Sequence, residues 1–198
     1  MSDSSTSSLV KERLCGCNLY LVGMMGAGKT SSGPYVAEAL GYGFVDSDKV
    51  IEEVCHESIS LIFENEGEKG FRTIEKEVLK AIGQRHSLVV ATGGGLVTEP
   101  ENWGVLHQGI VIWLDPGRER LFSRLEADPG ERPLLKHTNS RTALYGLVDE
   151  REKFYLEADL HLKVADESPQ QVAKQILQDL LAMLNGPEAP NAPQTTAR

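Results

Sequence analysis

Short apolar runs alternate with longer amphipathic stretches along most of this chain, and their order predicts a parallel sheet covered by helices. The first run, 18–23, leads through glycines into a helical pattern reaching about Leu40, and Gly43-Phe44-Val45-Asp46 follows as a short strand. Helical spacing then fills 49–86. Ser87 to Thr92 reads as a buried strand running directly into Gly93-Gly94-Gly95, and a further helix is expected from about Thr98. Ile110-Val111-Ile112-Trp113-Leu114 is another buried strand, with a helix through Leu125. His161-Leu162-Lys163-Val164 is the last strand before a closing helix from Ser168 to about Leu184. The pattern gives one α/β domain with five parallel strands. In such sheets ligands gather at the carboxyl ends of the strands, which here fall at Gly23, at 46–48 and at 93–95.

The 198 residues suit a single core. Residues 1–16 open with a Ser-rich stretch and are expected to be a disordered lead-in; 17–185 form the domain; 186–198, rich in Pro and Ala, form a flexible tail. The lead-in lacks the apolar stretch of a secretory signal. No apolar run approaches the ~20 residues of a membrane span. A net charge of −9 speaks against broad nucleic-acid binding, so any anion site must be focused. The three cysteines, Cys15, Cys17 and Cys55, form no even framework, which points to a reducing cytoplasm. The five histidines lack metal-ligand spacing.

One segment carries strong chemistry. Gly23-Met24-Met25-Gly26-Ala27-Gly28-Lys29-Thr30 fits G-x-x-x-x-G-K-[ST] and follows a strand, as a phosphate-binding loop requires. Glycines let successive N–H groups turn inward around an anion, and the following helix adds the positive end of its dipole. Lys29 would reach the β- and γ-phosphates, and Thr30 offers a hydroxyl where such loops hold Mg²⁺. Pro34 lies inside the helix that follows, where it removes a backbone donor, and a kink after the first turn is expected.

Further segments could choose a second substrate. Asp46-Ser47-Asp48 ends a strand opposite the loop, where one carboxylate could orient metal-bound water and another take a proton from an attacking hydroxyl. Ser47 or Asp48 could equally cap the next helix, and spacing alone leaves both readings open. Arg72 and Glu75 share a helical face, so Glu75 can orient Arg72, whether as a surface pair or as a carboxylate-binding fork in a cleft. Gly93, Gly94 and Gly95 can bring bare backbone against a ligand. Residues 128–140, with Asp128-Pro129-Gly130-Glu131-Arg132-Pro133, suit a mobile flap that carries Arg132, or a plain surface loop. Glu150-Arg151-Glu152-Lys153 reads as a charged helix face.

Taken in order, the phosphate loop, Phe44-Val45-Asp46-Ser47-Asp48, Phe71-Arg72-Thr73-Ile74-Glu75, Thr92-Gly93-Gly94-Gly95, Arg132-Pro133-Leu134-Leu135 and Glu150-Arg151 with Tyr155 resemble the shikimate kinase family over about 17–184. The resemblance implies a P-loop kinase domain with a mobile lid. Its activity would be transfer of the γ-phosphoryl of ATP to the 3-hydroxyl of shikimate, with Mg²⁺, in the pathway to chorismate and aromatic amino acids. It implies ATP contacts from Gly26, Ala27, Gly28, Lys29, Thr30, Arg124 and Arg132, with Arg124 on the adenine side and Arg132 on the lid. Shikimate contacts would come from Asp48, Arg72, Gly93, Gly94, Gly95 and Arg151, the two arginines holding the carboxylate. Lys29, Asp48 and Arg132 would be catalytic, and Thr30 and Asp46, the latter through water, would serve the metal. A cytoplasmic monomer acting on ATP and shikimate, without nucleic acid or membrane, is the expected form. The chain departs from the family at Gly33-Pro34, where Gly-Arg is usual. A gluconate kinase of the same fold would have no reason to keep Arg72, the three glycines and Arg151 together, and a silent descendant should have lost Lys29, Asp48 or Arg132.

Overall fold

A computed structural model describes residues 3–127 and 140–186. Arg132, nearly all of the expected flap, and the tail beyond Gly186 lie outside the described residues. The central strand, β1 (Leu19–Val22), is buried along its whole length, as its unbroken apolar run requires. It pairs in parallel with β3 (Leu88–Ala91), through Leu21 opposite Ala91, and with β4 (Ile110–Asp115), through Leu21 opposite Ile112. β2 (Gly43–Asp46) and β5 (Leu160–Lys163) complete a five-stranded parallel sheet in the order β2-β3-β1-β4-β5. The order places the ends of β1, β2 and β3 side by side, and with them the phosphate loop, the D-x-D segment and the glycine turn.

Helices cover the sheet. One layer holds α1 (Asp3–Leu14), α2 (Lys29–Leu40) and α8 (Pro169–Asn185), which pack against one another. Ser168 begins α8 with a reciprocal capping box with Gln171, satisfying backbone donors that the first turn leaves free. The helical spacing over 49–86 resolves into α3 (Ser47–Cys55) and α4 (Ile59–Gly83), separated by His56 in a left-handed conformation. α4 itself breaks at Gly67. A single 3-10 turn, Leu96–Thr98, and α5 (Pro100–Leu106) replace the one helix expected from Thr98, because Pro100 at the first helical turn sets a new start. α6 (Arg118–Ala127) and α7 (Ser140–Tyr155) complete the fold. Among the described residues no helix is long and apolar enough to cross a membrane.

One expectation needs correction. Residues 3–14 form α1 instead of a disordered lead-in: Val10 and Leu14, one turn apart, are buried, and Arg13 donates a 2.8 Å bond to the Leu184 carbonyl at the end of α8. A helix whose apolar stripe is two residues wide is hidden by its Ser-rich composition. Pro34 lies within α2, which continues through it as one element. Pro34 sits on the exposed face, where water can satisfy the carbonyl left without a donor, while Val36, Ala37 and Leu40 beyond it are buried.

Candidate active site

β1 delivers the chain into the phosphate loop, and Gly28, left-handed at φ 97°, starts α2 without any side-chain cap. The free N–H groups of the first helical turn therefore face the loop, the arrangement that attracts an anion. Lys29 is buried, and its ammonium donates to the carbonyls of Gly23 at 2.6 Å and Met24 at 2.9 Å. Burial pushes its pKa down to about 8, against the opposing pull of Asp48 and Asp46.

The next residue, Thr30, donates its hydroxyl to Asp46 Oδ2 at 2.7 Å, joining the loop to the end of β2. The other oxygen of Asp46 accepts the backbone N–H groups of Asp48 and Lys49 at 3.1 and 3.4 Å. The cap of α3 is thus Asp46, one residue before the position sequence suggested. Ser47 and Asp48 are released from that duty. Ser47 Oγ instead accepts the Gly93 N–H at 3.1 Å. Asp48 Oδ1 is buried and has no hydrogen-bond partner among the described residues. Burial raises the Asp48 pKa, the Asp46 charge adds to the rise, and Lys29 opposes it.

Across the cleft, Arg72 is held by Glu75 at 2.6 Å and by Glu68 at 3.2 Å. Glu75 is 1% exposed, and burial raises its pKa against the attraction of Arg72. The pair is therefore an interior one, not a surface one. Arg151, which sequence read as part of a charged face, is also buried at 4% exposure, with its Nε unpartnered among the described residues. The glycine turn lies between these groups. A Cβ at Gly93 would approach Asp48 Oδ1 to 2.8 Å and Glu75 Oε1 to 2.7 Å, and one at Gly95 would overlap the Arg72 guanidinium. Phe63 and Phe71, with centroids 4.5 Å apart, add an apolar wall. The two phenylalanines lie on opposite sides of the Gly67 break, so helical periodicity did not reveal their pairing.

Most of these groups border one open cleft of about 720 Å³. It brings together Gly26, Gly28, Lys29, Thr30, Asp46 and Asp48 from the nucleotide side with Arg72, Gly93, Gly94, Gly95 and Arg151 from the other. Ala27 and Arg124 line a second hollow of about 280 Å³ on the far side of the loop, where Arg124 donates to the carbonyls of Gly26 and Ala165, each at 3.1 Å. Arg132 is the one expected site residue outside the described residues. Sequence missed Ser47 as an anchor of the glycine turn and Met25 as a cleft residue. Nothing in its local pattern marks Ser47, because its contact bridges 46 positions, and Met25 occupies a position that the phosphate-loop motif leaves open.

The family model described as "SKI: Shikimate kinase" matches residues 25–181. The chain belongs to the shikimate kinase family. A shikimate kinase of Prochlorococcus marinus (strain MIT 9313) is 56% identical over 191 residues, covering 96% of this chain and all of that one. A solved shikimate kinase from Acinetobacter baumannii, in complex with shikimate, superposes with a TM-score of 0.83 at 40% identity, over 88% of this chain and 98% of the other. A gluconokinase from Sinorhizobium meliloti 1021 reaches a TM-score of 0.52 at 18% identity, covering 86% of this chain and 92% of that one, and shares the fold alone. Membership in the shikimate kinase family agrees with both halves of the cleft, the phosphate loop and the two arginines across from it.

Proposed function

We propose that this chain transfers the γ-phosphoryl of ATP to the 3-hydroxyl of shikimate, giving shikimate 3-phosphate and ADP. One observation carries the reading: a buried, unpartnered carboxylate oxygen of Asp48 shares a cleft with the phosphate loop on one side and with part-buried Arg72 and buried Arg151 on the other. A compact polyhydroxy carboxylate needs those groups, a base at one hydroxyl and arginines at its acid. The names of the relatives support the same substrates.

In this reading Lys29 leaves the carbonyls of its own loop to meet the β- and γ-phosphates, and the free N–H groups at the start of α2 hold them in line. Gly26, Ala27 and Gly28 shape that cradle, and Arg124 flanks the adenine side. Asp48 accepts the proton of the attacking hydroxyl. Its raised pKa keeps the proton affinity that this task requires. Arg72, oriented by Glu75, and Arg151 bind the acceptor carboxylate, while Gly93, Gly94 and Gly95 let the ring lie against backbone. By the resemblance, Arg132, outside the described residues, would meet the charge on the transferring group.

Thr30 Oγ1 and Asp46 Oδ2, 2.7 Å apart beside the phosphate loop, are hard oxygen donors that fit Mg²⁺. Among the described residues no cluster of three or more His, Cys, Asp or Glu could hold a metal, which agrees with an ion bound largely through phosphate and water. When bound, Mg²⁺ supplies charge neutralisation on the phosphates. We also infer a monomer and a cytoplasmic location, the latter supported by three cysteines that form no even framework.

The test is ADP release coupled to a spectrophotometric readout, with shikimate, with gluconate and with no acceptor, and phosphorus NMR of the product. Shikimate-dependent turnover with a 3-phosphate product is expected. Turnover on gluconate, or ADP release that no acceptor accelerates, would overturn the assignment.

A further inference from the structure

The glycine turn must hold its place to fractions of an ångström, since Asp48, Glu75 and Arg72 crowd the positions where side chains would stand at Gly93 and Gly95. Two side chains from distant segments grip it. Ser47 Oγ, 1% exposed, accepts the Gly93 N–H at 3.1 Å, and the Tyr155 hydroxyl donates to the Gly94 carbonyl at 2.6 Å. The turn also closes on itself: the Leu96 N–H donates to the Gly93 carbonyl at 3.3 Å and the Thr98 N–H to the Gly95 carbonyl at 3.0 Å.

Tyr155 is itself fixed. Its ring stacks on Trp113 at 5.5 Å between centroids, and Trp113 stacks on His161 at 3.9 Å and packs beside Gly23 of the phosphate loop. The Tyr155 hydroxyl also lies 3.4 Å from Met24 Sδ in that loop. Burial drives its pKa far up, so the hydroxyl stays a donor throughout the working pH range. Tyr155 follows Arg151 by one turn of α7, so the bond to Gly94 fixes how α7 is rolled and where the Arg151 guanidinium stands.

We propose that Tyr155 and Ser47 are positioning residues that clamp the turn 93–95 and, through α7, set Arg151 for the acceptor's carboxylate. Neither needs to touch the acceptor. The inference rests on the shikimate reading for its kinetic consequence, but the clamp itself has a consequence that requires no substrate.

The test uses Tyr155→Phe, which keeps the ring on Trp113 and removes one hydroxyl, and Ser47→Ala, which strips the acceptor from Gly93. Hydrogen exchange on the ligand-free full chain comes first. A peptide spanning 92–98 should exchange at least about fivefold faster in each variant, the consequence of losing a partner at a buried polar group, while β1 keeps its protection. The kinetic arm should show KM for shikimate raised about 5- to 20-fold and KM for ATP within about twofold. A destabilised fold would instead lower kcat through the active fraction and leave KM for shikimate unchanged. That outcome, or unchanged protection of 92–98, would overturn the clamp. Faster exchange at 92–98 in a chain whose wild type ignores shikimate would uphold the clamp and defeat the substrate assignment alone.

Discussion

Lys29 carries a charge that its surroundings do not favour, and this has a readable pH signature. Its folded pKa of about 8 lies below the ordinary 10.5, so the unfolded chain holds the extra proton between those values. The destabilising share of Lys29 is therefore full below pH 8 and fades as the pH rises towards 10.5. For catalysis the sign is opposite: kcat/KM for ATP should fall above about pH 8 as the free enzyme loses the ammonium, and the residual activity of Lys29→Arg should lack that alkaline limb. Asp48→Asn should lower kcat by about 10²- to 10⁴-fold with little change in shikimate affinity, measured by single-turnover kinetics beside calorimetry. Gly95→Ala should act through Arg72, whose guanidinium occupies the space of the new methyl. Together with Arg151→Ala it should weaken shikimate binding by about 2 to 5 kcal/mol and spare ATP, as titration calorimetry would register. Equal weakening of both ligands would point to collapse of the site.

At the scale of elements, α1 is the part whose importance was least visible. Lys11 reaches Gly41 at the end of α2, and Arg13 reaches Leu184 at the end of α8, so two cations meet two negative helix ends while Val10 and Leu14 fill the gap beneath. Removing residues 1–14 should lower Tm by roughly 10 °C, given ~1.5–3 kcal/mol for each buried apolar side chain, with the pathway of α2 and the phosphate loop intact. Calorimetry of the truncated chain checks this, and an unchanged Tm would show α1 to be a loose appendage. The strands were legible because buried parallel strands are written as unbroken apolar runs. The phosphate loop was legible because its chemistry is contiguous. The rest was written across the chain: that Arg151 is buried and that Ser47 turns to Gly93, 46 positions away, depend on distant segments meeting, whereas the Asp46 cap of α3 is local but shares its spacing with neighbours equally able to cap.

For the molecule as a whole, the sheet order makes one cleft out of segments that span most of the chain, so occupancy should stiffen the entire fold. With ADP and shikimate each at about 100 times Kd, each ligand should add about 2.7 kcal/mol, and Tm should rise by roughly 10 °C for both together. Scanning calorimetry at several ligand concentrations would show it, and a Tm indifferent to shikimate would contradict binding in this cleft. The stack of Tyr155, Trp113 and His161 also gives the chain a built-in optical probe. Of its two indoles, Trp103 on α5 donates to the Val97 carbonyl of the 3-10 turn, whereas Trp113 lies against Gly23, the tyrosine and an imidazole. A Trp103→Phe protein would thus glow from one position alone, its colour following the packing behind the phosphates, with no dye attached.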